Sequence, residues 1–162
     1  MSRVMHCFSL SNSFPMIRIH ILPIVAGTGC FLRQLPSEIS HLSKLVSLNL
    51  GNNPEVKLET RILEGLVRNL TMLEQLDLDS VDMSAMTLGS MANLSNSLIS
   101  LSLSSCGLQG NFPENIFFLP NLRTLKLAYN QNLTGFFPKE NWSNPLQVFG
   151  CLFHEFLRNI AT

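Results

Sequence analysis

The amino-acid sequence predicts an α/β fold, a right-handed solenoid of about four to five coils with a short parallel β-sheet on its concave face. The first supporting observation is a leucine pattern, L-x-x-L-x-x-L-x-L, which returns several times along the 162 residues. The second is the period, because successive copies follow at 28, 25, 24 and 24 residues. The third is the spread of prolines over residues 36–145, which interrupts the chain too often for long helices.

Each copy of the pattern predicts one coil. The last two leucines alternate with other residues, as a short strand with one buried face requires. The earlier leucines lie three residues apart, which suits a turn that brings the chain round to the strand. One coil cannot bury its own apolar edge, so neighbouring coils must stack. The copies comprise Leu42, Leu45, Leu48 and Leu50; Leu70, Leu73, Leu76 and Leu78; Leu94 (displaced by one residue), Leu98, Leu101 and Leu103; Leu119, Leu122, Leu125 and Leu127; and a partial fifth with Leu146, Phe149 and Cys151.

The residue five positions after the third leucine marks the point where each coil is predicted to leave its strand. It is Asn53, Val81, Cys106 and Asn130 in successive copies. A buried Asn amide can satisfy backbone groups at such a turn, and Cys can replace it weakly. Val81 offers no hydrogen-bonding side chain, so we expect the second coil to be irregular there.

Composition and charge exclude several functional classes. Lys+Arg and Asp+Glu both number 11, so the chain lacks the basic surplus of a nucleic-acid binder. The longest uncharged apolar stretch, residues 19–32, has 14 residues and is too short for a membrane span. We expect residues 1–33 to be a non-repeat segment, either a weak signal peptide or a misread reading frame. Residues 34–149 are predicted to hold the repeats, and residues 150–162 to be a tail out of repeat phase.

The four cysteines fit neither a zinc site nor a CxxC redox motif. We expect buried free thiols at Cys106 and Cys151. A disulfide between Cys7 and Cys30 stays an alternative to two more free thiols.

No catalytic or cofactor-binding motif occurs, and no metal site or cofactor is predicted. Asp77 and Asp79 lie two residues apart on one predicted strand and so share a face. An open, solvated sheet offers no environment that would make one carboxyl group an acid and the other a base. We therefore expect no enzymatic activity.

Two copies continue beyond the strand with a shared tail. Residues 108–113 read LQGNFP and residues 133–138 read LTGFFP, the L-x-G-x-F-P tail that resembles the plant-specific class of leucine-rich repeats. Residues 35–45 read LPSEISHLSKL. Together with the two tails, this segment is similar in sequence to the ectodomains of plant receptor-like proteins. The resemblance covers residues 35–148. The first two copies lack the tail, and the family's N-terminal cysteine cap and membrane helix are missing, so a truncated fragment is expected.

The resemblance implies a protein-binding module at the extracellular face of the plasma membrane, in defence or developmental signalling. It also implies a protein or peptide ligand and a partner receptor kinase. A secreted inhibitor of microbial cell-wall hydrolases and a nonfunctional truncated product stay as alternatives. Ligand contacts would come from residues that point outward beside each L-x-L. The candidates are Glu74, Asp77, Asp79, Ser100, Ser102, Arg123, Lys126 and Tyr129.

Four N-x-S/T sequons predict glycosylation if the chain is exported. Three of the four asparagines lie seven or eight residues before their strand leucine, which places them on the outer flank of a coil. A polar turn residue that recurs for structural reasons is the alternative. The acceptors are Asn69, Asn93, Asn132 and Asn141.

Overall fold

The computed structural model describes residues 8–13, 16–21, 35, 37–136 and 146–149. It contains one α-helix, α1 (Thr60–Asn69), and three 3₁₀ segments, Ser37–His41, Leu88–Met91 and Glu114–Phe118, within those residues. The strands are β1 (Phe8–Ser13), β2 (Met16–Ile21), β3 (Leu45–Asn49), β4 (Gln75–Asp77), β5 (Ser100–Ser102), β6 (Gln109–Asn111), β7 (Thr124–Lys126), β8 (Asn132–Thr134) and β9 (Gln147–Phe149).

The main sheet has the strand order β1-β2-β3-β4-β5-β7-β9. From β2 onward, all neighbouring strands are parallel. This arrangement is required when all stacked coils wind in the same direction. We call the coils that begin at β3, β4, β5 and β7 coils 1 to 4. The register places Leu48, Leu76, Leu101 and Leu125 opposite one another. The predicted parallel sheet is therefore present, with the leucine phase that the sequence indicates.

The phase of the fifth copy is corrected by the structure. Leu125 pairs with Val148, so Phe149 lies opposite Lys126 instead of continuing the leucine row. The last interval is therefore 23 residues, one shorter than the interval before it. Strand pairing sets this alignment, because the backbone N–H of Gln147 donates to the carbonyl of Arg123.

Two strands lie within the segment 1–33 that is predicted to be outside the repeats. β1 and β2 pair antiparallel, and β2 continues the sheet in parallel with β3. A register shift falls between Ile17 and Arg18, after which Ile19 aligns with Leu48. The sheet thus extends past coil 1 on its N-terminal side.

The core is one continuous cluster that runs through all four coils. The strand leucines Leu48, Leu76, Leu101 and Leu125 are at most 2% exposed. Full burial of one leucine side chain contributes roughly 1.5–3 kcal/mol relative to exposure. Each coil presents its leucines to the next, so the apolar edge of one coil becomes the wall of its neighbour.

The convex side of coil 1 carries helix α1, whereas the other convex segments that the structure describes are loops and 3₁₀ turns. The helix buries Leu63 and Leu66 against the core and exposes Arg61, Glu64 and Arg68. The interval that contains α1 is the longest, 28 residues from Leu48 to Leu76, and so has room for a ten-residue helix. The next two intervals are shorter and hold the 3₁₀ segments Leu88–Met91 and Glu114–Phe118 instead.

Each coil leaves its strand through a residue in the left-handed conformation. Asn52, Ser80, Ser105 and Tyr129 have φ of 60°, 65°, 57° and 59°. The prediction that the second coil is irregular at Val81 is wrong for the backbone conformation. Ser80 turns the chain there in the same left-handed conformation as the equivalent residues of the other three coils. Val81 is fully buried and its N–H donates to the carbonyl of Leu78, so the local turn supplies the bond that its side chain cannot make.

The side-chain amide of Asn130 ties coil 4 to coil 3. Its Nδ2 donates to the carbonyl of Leu103 at 2.8 Å and to that of Leu127 at 3.1 Å. Its Oδ1 accepts from the backbone N–H groups of Cys106 and Leu108, both at 3.0 Å. The predicted role of a buried Asn at this turn is confirmed here.

Asn53 occupies the same position in coil 1 but is only half satisfied. Its Nδ2 donates to the carbonyls of Leu50 and Gly51 at 2.9 Å. Its Oδ1 is buried and has no hydrogen-bond partner within the described residues. In coil 3 the Sγ of Cys106 reaches the carbonyl of Leu78 at 3.0 Å, so the thiol replaces one of the amide's bonds.

The L-x-G-x-F-P tails build a second, two-stranded sheet from β6 and β8. Gln109 pairs with Asn132, and the hydroxyl of Thr134 donates to Oδ1 of Asn111 at 2.7 Å. Gly110 has φ of 86°, a left-handed value that favours glycine. The first two coils lack the tail. At the equivalent position of these coils, a single parallel β-bridge joins the backbones of Lys57 and Asp82.

Candidate functional site

The concave face is formed by the strand residues that alternate with the buried leucines. Two rows cross coils 2 to 4 in register. One contains Gln75, Ser100 and Thr124, and the other contains Asp77, Ser102 and Lys126. Because both rows belong to one sheet, the predicted ligand-binding residues of three coils lie on a continuous surface.

The acidic part of the concave face belongs to coil 2. Glu74, Asp77 and Asp79 are half-exposed. Oδ1 of Asp79 accepts hydrogen bonds from the hydroxyl of Ser102 and the N–H of Ser104, both at 2.7 Å. Oδ1 of Asp77 accepts from the N–H of Asp79 at 3.0 Å. Two of the three carboxylates are thus held in place by the neighbouring backbone and coil.

Gly51 of coil 1 leaves space for this arrangement. A Cβ atom at position 51 would lie 2.9 Å from Oδ1 of Asp77 and 3.3 Å from Oδ1 of Asn49. A side chain there would displace the Asp77 carboxylate.

The serines of coil 3 differ in accessibility. Ser100 is half-exposed, but Ser102 is only 4% exposed. The sequence predicts that Ser102 points outward into solvent, whereas its hydroxyl donates to the carboxylate of Asp79. Its part in the site is to position a carboxylate of the adjacent coil.

The basic part of the concave face belongs to coil 4. Arg123 and Lys126 are exposed, and Tyr129 is 75% exposed at the rim where the chain turns. The ion pairs of the described residues are Lys57–Asp82 and Arg61–Glu59, and neither includes Arg123 or Lys126. Both cations therefore face solvent without a carboxylate partner in the described part of the chain. The structure brings all eight predicted site residues onto this face or its rim.

Three of the four sequon asparagines lie in the described residues. Asn93 and Asn132 are exposed, and Asn69, the last residue of α1, is half-buried. Asn93 is on the convex flank, while Asn132 begins β8. Asn141 lies outside the described residues.

A groove of about 1230 Å³ on the convex side was not expected from the sequence. It lies between α1, which contributes Glu64 and Arg68, and the convex segments of coils 2 and 3. Asn93 and the 53%-exposed ring of Phe118 line it as well. The groove lies beside α1, and the longest repeat interval is the signal in the sequence for this helix.

Cys106 is confirmed as a buried free thiol. Burial raises the pKa of this thiol to about 12, and the nearby carboxylate of Asp79 adds to the shift. The thiol stays protonated at neutral pH, which suits a packing role. Cys7, Cys30 and Cys151 lie outside the described residues, as does the alternative of a Cys7–Cys30 disulfide.

Neither a metal site nor a membrane span is found in the part of the chain that the structure describes. No group of three or more His, Cys, Asp or Glu residues there could hold a metal ion. No helix there has the length and apolar character to cross a bilayer.

Comparison with known proteins identifies the repeat class. The profile of the Leucine Rich Repeat family matches residues 97–119, which cover β5, β6 and the 3₁₀ segment that follows. The Receptor-like protein Cf-9 homolog of Solanum lycopersicum is 41% identical over 120 residues, which are 74% of the chain and 14% of that relative.

Two further relatives carry the same description. Receptor-like protein Cf-9 of Solanum pimpinellifolium is 42% identical over 110 residues, 68% of the chain and 12% of the relative. Receptor-like protein 6 of Arabidopsis thaliana is 31% identical over 121 residues, 72% of the chain and 12% of the relative. The chain thus spans between 12% and 14% of the length of these relatives. By its repeat pattern, its parallel sheet and these similarities, the chain belongs to the plant-type leucine-rich-repeat proteins and resembles a segment of the receptor-like proteins.

Proposed function

We propose that the chain is a protein- or peptide-binding repeat module of a plant cell-surface receptor-like protein, acting in defence or developmental signalling. The observation that carries this proposal is the concave face, where the exposed residues are polar, charged or aromatic and stand on a rigid sheet. Binding residues are effective when a buried scaffold fixes their backbone. The similar proteins are named as receptor-like proteins, which supports the cellular role.

The proposal includes a location and a partner. The module works at the extracellular face of the plasma membrane, with a partner receptor kinase that supplies the signalling activity. The sequon asparagines Asn69, Asn93, Asn132 and Asn141 are the proposed glycan acceptors. Asn93 and Asn132 have exposed side chains and are expected to carry glycans more completely than the half-buried Asn69.

Export is tested by expressing the full chain in leaf cells and measuring its mass before and after enzymatic removal of N-glycans. We expect a loss of mass, and Asn93→Gln and Asn132→Gln should each reduce it by one glycan. An unchanged mass would contradict the proposed location.

Ligand binding is tested by selecting a random decapeptide library on the immobilised full chain. Ser100→Trp places a large ring at the centre of the concave face without a change of net charge. Thr87→Trp is the matched control, because Thr87 is exposed in the convex groove. We expect selected peptides to lose binding to Ser100→Trp and to keep it with Thr87→Trp. The reverse pattern, or no enriched peptide, would overturn the concave site.

A further inference from the structure

The concave face carries opposite charges at its two sides. Coil 2 contributes Glu74, Asp77 and Asp79, and coil 4 contributes Arg123 and Lys126. Coil 3 lies between them and presents the neutral Ser100. The surface is therefore dipolar along the solenoid axis, although the formal net charge of the whole chain is zero.

The separation of the two charges follows from the sheet. Asp77, Ser102 and Lys126 are consecutive partners in register. Neighbouring strands lie roughly 4.8 Å apart, so the acidic and basic strands are separated by about 10 Å. A peptide in the polyproline II conformation advances about 3.1 Å per residue and has three residues per turn, so side chains three residues apart lie on one face and about 9 Å apart.

The neutral coil prevents the two sides from neutralising each other. No ion pair of the described residues joins coil 2 to coil 4, and Ser102, which stands between Asp77 and Lys126, donates its hydroxyl to Asp79. A ligand with the opposite arrangement of charge would meet both sides at once. Exposed pairs add little affinity individually, yet they select partners and raise association rates at low salt.

We propose that the occupant of the concave face is a peptide segment in the polyproline II conformation with a cationic side chain and an anionic side chain three residues apart. The cation lies over the carboxylates of coil 2, and the anion lies over Arg123 and Lys126. The segment crosses the strands along the solenoid axis, and residues between the two charges pass over Ser100. This inference rests on the proposed function, since it names the ligand chemistry of the same face.

The test repeats the peptide selection on three forms of the full chain: the unchanged chain, Arg123→Glu with Lys126→Glu, and Lys57→Glu with Arg61→Glu. The last form is a matched control, because it makes the same change of net charge outside the concave strands. Its ion pairs are exposed and their loss should hardly affect folding.

The unchanged chain and the control should enrich peptides with opposite charges three residues apart, in either order along the peptide. The Arg123→Glu, Lys126→Glu form should bind those peptides at least ten-fold more weakly and enrich peptides with two cations instead. The ten-fold difference should shrink towards two-fold in 0.5 M NaCl, because added salt screens exposed charges.

This inference would be overturned if the selected peptides lacked opposite charges three residues apart. It would also be overturned if their affinity changed less than two-fold on reversal of the charges at Arg123 and Lys126. If Ser100→Trp still abolished their binding, the proposed function would stand. If the peptides bound Ser100→Trp as well as they bound the unchanged chain, the proposed concave site itself would have failed.

Discussion

At the scale of single residues, Asn130 and Asn53 occupy equivalent turns but differ in how completely their side-chain amides are hydrogen-bonded. Asn130 bonds to the backbone of both its own coil and the preceding one. Asn53 bonds through Nδ2 only, to carbonyls of its own coil. A buried polar group that loses its partner costs about 1–3 kcal/mol.

We therefore predict that Asn130→Ala lowers the free energy of unfolding by about 2–4 kcal/mol, because it leaves the N–H groups of Cys106 and Leu108 without an acceptor. Asn53→Ala should cost less, since no described N–H depends on its Oδ1. Urea denaturation followed by circular dichroism measures both. Equal losses of unfolding free energy in the two variants would show that the hydrogen bonds from Asn130 to the preceding coil do not contribute to stability.

The buried thiol of Cys106 predicts a pH dependence. Its pKa is raised by burial to about 12 in the folded chain, whereas an exposed thiol in the unfolded chain ionises at about 8.5. The unfolded state therefore loses its proton first, so this contribution to stability is complete below pH 8.5 and is lost as pH rises towards 12.

We expect the urea midpoint of the unchanged chain to fall between pH 9 and pH 11 more steeply than that of Cys106→Ala. The alanine variant serves as the reference because every other titrating group is shared. Parallel pH profiles would show that the thiol does not ionise differently on unfolding.

Some residue roles could be predicted from the sequence and others could not. The buried Asn130 follows from its distance to the strand leucine, which is a local feature. The near burial of Ser102 depends on Asp79, which lies 23 residues earlier and in a neighbouring coil. Contacts of that kind arise only when the coils stack, so the sequence predicted Ser102 as solvent-facing.

At the scale of elements, leucine spacing determines the strands but leaves the convex segments open. Strand register follows because each leucine must face the shared core, and a slip of one residue would expose it. The segment between two strands need only span the return path. Residues 60–69 became a helix because the interval was long and Leu63 and Leu66 lie on one face.

We predict that Leu66→Ala lowers the free energy of unfolding by about 2–5 kcal/mol, because Leu66 is 1% exposed under the helix. Glu64→Ala is the control on the outer face of α1 and should change the stability by less than about 0.5 kcal/mol. Guanidinium unfolding provides the comparison. A small effect at Leu66 would mean that α1 is not part of the cooperative core.

At the scale of the whole molecule, the core is a single cluster without a break between coils. Each coil contacts its neighbours through the sheet, so a defect in a central coil should loosen both sides. Leu101 of coil 3 pairs with Leu76 and with Leu125 and is 1% exposed.

We expect Leu101→Ala to reduce amide hydrogen-exchange protection in β4 and β7 as well as in β5. The control is Leu48→Ala in coil 1, whose strongest effect should reach β4 but fade before β7. Mass spectrometry of peptic fragments resolves these strands. Loss of protection confined to β5 would show that the coils open independently.

The change from an α-helix to 3₁₀ segments along the convex side has a consequence for curvature. An α-helix with its side chains is about 10 Å across, twice the distance between strands. Coils around α1 must fan apart on the outside more than coils that carry the segments Leu88–Met91 and Glu114–Phe118. We therefore expect the concave arc to be tighter beside coil 1 than at coils 2 and 3. A rigid, straight ligand would lie flush with the flatter part only, whereas a flexible chain could follow the whole arc.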